Sequence, residues 1–164
     1  MMNEKYNKDR EKPPCAAEWR RNPMGRQEPI GVFDSGVGGL TVAREIMRQI
    51  PNERIVYFGD TARVPYGSKS KETVTKYSRQ IIRFLQTENV KAIVIACNTA
   101  SAFALDTMQK EFDLPIIGVV KPGAKMAAQT TKNGKVGLIG TEGTIRSGVY
   151  AEFRSEEHTS ELQS

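Results

Sequence analysis

The feature that most narrows the fold of this chain is a regular alternation of short apolar segments with helical patterns between about residues 29 and 153. Strand and helix that alternate at this spacing are typical of βαβ units. The sequence predicts an α/β fold with a mostly parallel sheet flanked by helices. Apolar stripes predict helices over 40–50 and from about 74 to 89, and a polar opening predicts a helix after 98. A further helix is predicted over about 122–131, and strands are predicted over 30–33, 54–58, 92–96, 114–119 and 135–140.

The two ends of the chain lack this pattern. Residues 1–28 mix charge, proline and glycine without an apolar period, and we expect a disordered extension because they bury too little surface to offset the entropy of ordering. The final stretch, RSEEHTSELQS over 154–164, matches the conceptual translation of a common sequencing-library adapter. We interpret it as a non-native tail whose His158 carries no function, and we expect the natural protein to continue beyond about Phe153.

Composition and charge exclude several classes of function. The net charge is +5, but the basic residues are spread over predicted helix faces, which indicates solvated surface rather than a nucleic-acid groove. No apolar run approaches the length of a membrane span, and the N-terminus lacks the apolar core of a signal peptide. The two cysteines, Cys15 and Cys97, fall in segments of opposite character, which argues against a disulfide framework. We expect a cytoplasmic protein that binds neither nucleic acid nor membrane.

Cys97 lies where the third predicted strand passes into a helix opened by Asn98 and Thr99. In an open parallel sheet this is the carboxyl edge, where ligands bind, and the helix N-terminus there offers unpaired N–H groups and partial positive charge. Both effects favour the thiolate form of a cysteine. The alternative, that Cys97 is simply a small buried apolar residue, stays open from this stretch alone.

Two more predicted strands end in polar or glycine-rich turns. Asp34 and Ser35 follow the first strand and precede three glycines, whose backbone N–H groups can approach a ligand closely. The loop after the second strand contains Tyr66 and Gly67, an ordinary turn by itself. Because parallel strands end at the same edge of a sheet, we expect these residues and those at 97–99 to share one crevice.

The glycine-rich turn also allows a dinucleotide-binding interpretation, with Asp60 as the acid that binds a ribose. That fingerprint requires glycine at position 41, where this chain has Thr41. It would also place the Asp34 carboxylate close to a pyrophosphate. We therefore regard a dinucleotide site as the weaker interpretation.

The side chains gathered in the crevice limit its chemistry. Asp34 and Asp60 without a histidine do not make a metal site, and a lone cysteine without a histidine partner does not make a Cys–His hydrolase. Thr141 and Thr144, after the fifth predicted strand, either add hydroxyls at the rim or cap a helix. What remains is proton transfer by a thiolate that the helix terminus and a neighbouring carboxylate control. We expect no metal.

Four separate motifs, in order, resemble the N-terminal part of the glutamate racemases in the aspartate/glutamate racemase family. They are PIGVFDSGVGGLTV at 29–42, YFGDTARVPYG at 57–67, IACNTAS at 95–101 and GTEGTIRS at 140–147. The resemblance covers about residues 29–151. It implies a cofactor-independent enzyme that interconverts L- and D-glutamate and supplies D-glutamate for peptidoglycan.

The resemblance also implies roles for individual residues. Members of the family use two cysteines on opposite faces of the substrate Cα, one removing the proton as a thiolate and the other returning a proton. Cys97 would be one of this pair, and Asp34 would also tune its thiol. The positions that would hold the carboxylate and amino groups of glutamate are Asp34, Ser35, Tyr66, Gly67, Asn98 and Thr99.

The chain departs from the family pattern in one respect. The second cysteine of the family lies in a later Gly-Cys-Thr-His type segment that is absent here, and Cys15 cannot replace it. The family fold has two similar α/β domains with the site between them, which would place the first domain at 29–97 and a truncated start of the second at 98–153. We expect this chain to be a fragment that is poorly stable and inactive in racemisation.

Two other functions stay open. A related racemase that acts on aspartate would differ in which substrate exchanges its Cα proton with solvent. A non-enzymatic binding module for a small anionic ligand would be stabilised by that ligand without exchange at Cα. The sequence does not determine the oligomeric state, and a homodimer is one of the options.

Overall fold

The structure is a computed structural model that describes residues 27–151. Its strands are β1 (Ile30–Asp34), β2 (Ile55–Gly59), β3 (Ala92–Ile95) and β4 (Ile116–Gly118). Its helices are α1 (Leu40–Gln49), α2 (Lys71–Thr87), α3 (Asn98–Glu111), α4 (Val120–Thr130) and α5 (Glu142–Arg146). None of these helices is long and apolar enough to cross a membrane.

The four strands form one parallel sheet in the order β2-β1-β3-β4. In β1, Ile30 is paired with Ile55 of β2 and with Ala92 of β3. Because all the strands run in the same direction, their carboxyl ends meet at one edge, where Asp34 is paired with Gly59. The predicted α/β class with a parallel sheet is confirmed.

Residues along the strands alternate between two apolar cores, as the pleat of a strand requires. On one face of the sheet, Val32 packs with Ala43 of α1 and with Ala96. Its neighbour Phe33 belongs to the larger core under α2 and α3, whose fully buried members include Ile81, Ile82, Leu85, Ile93, Ile95 and Met108. Since each such side chain contributes roughly 1.5–3 kcal/mol on burial, the α2–α3 face supplies most of the apolar stabilisation.

The predicted fifth strand over 135–140 is wrong for the structure as described. The segment contains no strand, and none of the four strands pairs with it. Its apolar side chains are exposed, Val136 at 40%, Leu138 at 43% and Ile139 at 100%. A strand needs a partner for its backbone N–H and C=O groups, and this segment has strand-forming residues without a neighbouring strand.

Two helices differ in detail from their predictions. In α1, Ala43 is buried, whereas Leu40 and Met47 of the predicted apolar stripe are about half exposed. The α4 helix begins at Val120, ahead of the predicted start at residue 122. The α1 face of the sheet is therefore covered less completely than the sequence pattern indicates.

The domain boundaries stay predictions. Residues on both sides of position 97 share one sheet, because β4 pairs with β3 and α3 packs against α2. A division at 97–98 would therefore fall inside a continuous α/β unit. The extension predicted over 1–28 lies outside the described residues except for its last two, and the tail over 154–164 lies outside them entirely.

Candidate active site

A cleft of about 670 Å³ opens at the carboxyl edge of the sheet. Its walls come from the turn after β1, the loop after β2, the start of α3 and the segment that leads into α5. The structure brings all seven residues singled out in the sequence to this cleft: Asp34, Ser35, Tyr66, Gly67, Cys97, Asn98 and Thr99. Their roles stay predictions, but their juxtaposition follows from the parallel sheet.

The sulfur of Cys97 is held at the N-terminus of α3. Cys97 is the N-cap residue of that helix, and its Sγ accepts a hydrogen bond from the Ala100 N–H at 3.4 Å. The thiol donates to Ser35 Oγ at 3.3 Å. A thiolate at the same position would keep the N–H contact and could accept the Ser35 hydroxyl hydrogen, which is free to rotate. The start of α3 and the Ser35 hydroxyl therefore both contact this sulfur at the edge of the cleft.

Asp34 closes the glycine-rich turn around its own carboxylate. The Oδ2 atom accepts hydrogen bonds from the N–H groups of Gly36 at 3.2 Å and Gly39 at 2.9 Å. Gly39 has no room for a side chain, since a Cβ there would lie 2.6 Å from the Asp34 Cβ and 2.9 Å from the Ala96 Cβ. One carboxylate oxygen is thus committed to the backbone, and Asp34 places a fixed, buried acidic group beside the cleft.

The phenol of Tyr66 is engaged in the protein interior. Its side chain is 1% exposed, its ring packs against the Tyr77 ring with the centroids 5.7 Å apart, and its hydroxyl donates to Asp60 Oδ2. Burial, and then the bond to Asp60, raise the pKa of Tyr66 well above its ordinary value. The loop after β2 therefore offers a ligand its backbone rather than this hydroxyl.

Gly67 allows the start of α5 to approach the loop after β2 closely. A Cβ at Gly67 would lie 2.5 Å from the Cβ of Thr141. The Gly67 carbonyl also accepts a hydrogen bond from the Gly143 N–H at 3.2 Å. The loop and the start of α5 are thereby fixed to each other at the rim of the cleft.

Three threonine hydroxyls meet where α3 and α5 begin. Thr99 Oγ1 lies 2.8 Å from Thr141 Oγ1 and 3.3 Å from Thr144 Oγ1, and the latter two oxygens are 3.0 Å apart. Thr141 also caps α5 by accepting the Thr144 N–H. Helix capping therefore applies to Thr141, and both threonines of this pair line the cleft.

Two residues that shape the cleft were not assigned this role from the sequence. Tyr150 lines the cleft and donates its hydroxyl to Asn98 Oδ1 at 2.7 Å, and no local pattern marks it. Asp60, which the sequence offered only as a ribose-binding acid, is 4% exposed and instead accepts the Tyr66 hydroxyl and pairs with Arg63. In the sequence, only the presence of an acid and a tyrosine in the same loop could have suggested the contact between Asp60 and Tyr66.

The side chains of the cleft fit proton transfer by a thiol. Within residues 27–151, no group of three or more His, Cys, Asp or Glu side chains is placed to hold a metal ion. The cleft combines the Cys97 thiol, the Asp34 carboxylate, and neutral hydroxyl, amide and backbone donors. A thiolate with neutral donors around it can remove a proton from a bound acid while the donors hold its charged groups.

Comparison with known proteins gives a consistent result. The sequence model of one family, described as Asp/Glu/Hydantoin racemase, matches residues 30–162. A glutamate racemase of Geobacter metallireducens is 60% identical over 122 residues, which are 74% of this chain and 45% of that protein. A glutamate racemase of Persephonella marina is 56% identical over 121 residues, 74% of this chain and 47% of that protein.

Solved structures agree with these sequence matches. The crystal structure of glutamate racemase isoform RacE1 from Bacillus anthracis superposes with a TM-score of 0.78 at 50% identity, covering 80% of this chain and 50% of that one. The structure of glutamate racemase from Francisella tularensis in complex with D-glutamate gives a TM-score of 0.72 at 46% identity, covering 79% and 48%. This chain thus spans about half the length of the relatives that it matches.

Proposed function

This chain belongs to the Asp/Glu/Hydantoin racemase family, and from that premise we propose that it supplies one half of the active site of a cofactor-independent glutamate racemase. The observation that carries the proposal is the position of the Cys97 sulfur, held at the N-terminus of α3 and against Ser35 in the cleft. The relatives named as glutamate racemases, one of them solved with D-glutamate, support glutamate as the substrate. The product D-glutamate would serve peptidoglycan synthesis.

We propose that Cys97 acts as a thiolate general base or, protonated, as a general acid at the substrate Cα. In one direction the Cα–H bond breaks, its electron pair stays on the substrate, and the proton passes to Cys97 Sγ. A second acid on the opposite face then protonates Cα, which inverts the centre. By resemblance to the family, that second group would be a cysteine of a later segment in the full-length protein.

The neutral donors around Cys97 suit the binding of an amino acid with two carboxylates. We propose that Ser35, Asn98 and Thr99 hold one end of glutamate, and that the backbone at Tyr66–Gly67 holds the other. Asp34 would meet the amino group, because its carboxylate is buried at the same edge. The two-domain arrangement, with this sheet in the first domain, is part of the same proposal.

A cytoplasmic location is also part of the proposal. Cys97 is free in the structure, and free thiols persist in reducing compartments. The mass of the purified protein in solution, measured by light scattering, decides between a monomer and a homodimer.

The test begins by sequencing the gene past the codon for Phe153 and expressing the continued reading frame. In D₂O, proton NMR follows the loss of the Cα signal of glutamate and of aspartate, and a chiral assay follows inversion. We expect exchange and inversion with glutamate and neither with aspartate. Exchange with aspartate alone would identify an aspartate racemase. Ligand-dependent stabilisation without exchange at Cα would identify a binding module.

The 164-residue chain provides the complementary measurement. With one cysteine in its cleft, we expect it to give no conversion of L- to D-glutamate. Measurable conversion by this purified chain would contradict the proposal that half of the catalytic pair lies elsewhere.

A further inference from the structure

Asp60 occupies a buried position immediately behind the cleft wall. It follows β2 directly, is 4% exposed, and its N–H donates to the Asp34 carbonyl at 2.9 Å. Its carboxylate accepts the hydroxyl of Tyr66, a residue that lines the cleft. Asp60 therefore connects the end of β1 with the loop after β2.

Arg63 contacts the same Asp60 carboxylate oxygen that accepts the Tyr66 hydroxyl. Its Nε lies 2.7 Å from Asp60 Oδ2, and its guanidinium stands 4.3 Å over the centre of the Tyr77 ring. Its Nη1 donates to Gln80 Oε1 at 2.6 Å. Because Tyr77 and Gln80 belong to α2, the helix fixes the arginine, and the arginine fixes the acid.

Arg63 also compensates the negative charge that the buried Asp60 carboxylate would otherwise place behind the cleft. A buried carboxylate behind a site for an anionic group would repel that group, and burying it unpaired is costly. The guanidinium neutralises it at 2.7 Å, so that the carboxylate can accept the Tyr66 hydroxyl without adding net negative charge behind the cleft.

We propose that Asp60, neutralised by Arg63, is a positioning residue that fixes the Tyr66–Gly67 backbone for binding one carboxylate of the substrate. The inference rests on the proposed function in naming glutamate as the ligand. Two contacts then hold the loop: the Tyr66 hydroxyl donates to Asp60, and the Gly67 carbonyl accepts from the Gly143 N–H at 3.2 Å. Asp60 touches no substrate atom in this account and acts through Tyr66.

The test uses the complete 164-residue chain, labelled with ¹⁵N. Asp60→Asn weakens the acceptor, and Tyr66→Phe removes the donor of the same bond. Glu111→Gln is the matched control, because it alters another short acid–arginine pair, with Arg79 at 2.6 Å, between α2 and α3 away from the cleft. If Asp60→Asn fails to give a dispersed amide spectrum, Tyr66→Phe decides alone.

The first readout needs no ligand. The Lys69 N–H donates to the Tyr66 carbonyl at 3.0 Å and reports the order of the loop. We expect its hydrogen exchange to become roughly tenfold faster in Asp60→Asn and Tyr66→Phe, the effect of losing a hydrogen bond to a charged group. The double variant should add little to either change, and Glu111→Gln should leave the rate unchanged. Unchanged exchange in both single variants overturns the proposal.

The second readout is titration with glutamate. In the unaltered chain we expect the amide signals of Gly67 and Asn98 to shift together. In both single variants the apparent Kd should rise roughly tenfold and the Gly67 shift should shrink, whereas the Asn98 shift at saturation should keep its size. A loosened loop with unchanged glutamate binding overturns the positioning role. If the unaltered chain shows no response to glutamate, the proposed function fails for this chain. The hydrogen exchange rates of the first readout then still test whether Asp60 positions the loop.

Discussion

Gly39→Ala should destabilise the chain strongly, although it adds a single methyl group. The new Cβ would lie 2.6 Å from the Asp34 Cβ and 2.9 Å from the Ala96 Cβ, well inside the 3.4 Å at which ordinary contact begins. Neither neighbour is the far end of a flexible side chain, because Asp34 ends β1 and Ala96 follows β3 directly. Overpacking of this kind costs about 1–3 kcal/mol.

The same substitution disturbs the turn around Asp34. Moving residue 39 lengthens the 2.9 Å hydrogen bond from its N–H to the buried carboxylate, and a bond of this type contributes about 1.5–3 kcal/mol. Alanine recovers about 0.4–1 kcal/mol by restricting the unfolded chain. We therefore expect a net loss of about 1.5–5.5 kcal/mol in the free energy of unfolding.

Two other glycines provide matched controls. A Cβ at Gly38 would meet its nearest neighbour, Asp34 Oδ2, at 3.8 Å, and a Cβ at Gly137 would meet nothing within 4 Å. Urea unfolding followed by circular dichroism compares the three alanine variants. If Gly39→Ala loses more free energy of unfolding than the unaltered chain possesses, this variant will show no unfolding transition, whereas the other two variants will show normal ones. Equal midpoints for Gly39→Ala and Gly38→Ala would refute the steric argument.

Other side chains give measurable expectations. Because burial and Asp60 raise the pKa of Tyr66 above its ordinary value of 10.0, the folded chain favours the neutral phenol. The stability that the neutral phenol provides is fully present below pH 10 and is lost as the pH rises above it. Urea midpoints of the unaltered chain should therefore fall faster above about pH 10 than those of Tyr66→Phe, and an equal fall would contradict this expectation. The hydrogen bonds from Arg48, and then that from Gln49, lower the pKa of Glu45 to about 2. Arg48→Met should therefore move the carboxyl titration, followed by NMR, from about 2 toward 4.5, and a titration that stays near 2 would count against it. Lys91 Nζ lies 2.5 Å from Glu53 Oε2 in a largely buried pair. Glu53→Leu should therefore lower the free energy of unfolding by about 3 kcal/mol, and adding Lys91→Met should recover part of that loss. A double variant no more stable than Glu53→Leu would contradict this expectation.

The elements that sequence reasoning predicted well are those whose neighbours lie within the described residues. The apolar run of β1 is buried on both faces, and β3 buries Ile93 and Ile95 on one face and partly buries Val94 on the other, so their composition indicates a central position in a parallel sheet. The position of Cys97 followed from the same reasoning, because a strand that passes directly into a helix must end at the carboxyl edge. The parallel direction of the strands, rather than any single motif, predicts that the site residues lie at one edge of the sheet.

The predictions that were wrong or missing all depend on which neighbours a segment meets in the folded chain. Residues 135–140 have the composition of a strand, yet a strand forms only where another strand accepts its hydrogen bonds. Leu40 and Met47 continue an apolar stripe that the structure leaves half exposed, because periodicity identifies a face but does not say what covers it. The engagement of Tyr66 by Asp60 depends on how one loop folds, which neither propensity nor spacing determines.

The central claim is that the Cys97 thiol transfers the Cα proton of glutamate. The most direct measurement is the rate of L- to D-glutamate conversion by the protein expressed from the continued reading frame, compared with its Cys97→Ser variant and with Glu111→Gln as the control. A positioned general base contributes about 10²–10⁴-fold, so Cys97→Ser should lower the rate by at least about 10²-fold while Glu111→Gln leaves it unchanged. A Cys97→Ser protein that converts glutamate at the unaltered rate would contradict the account.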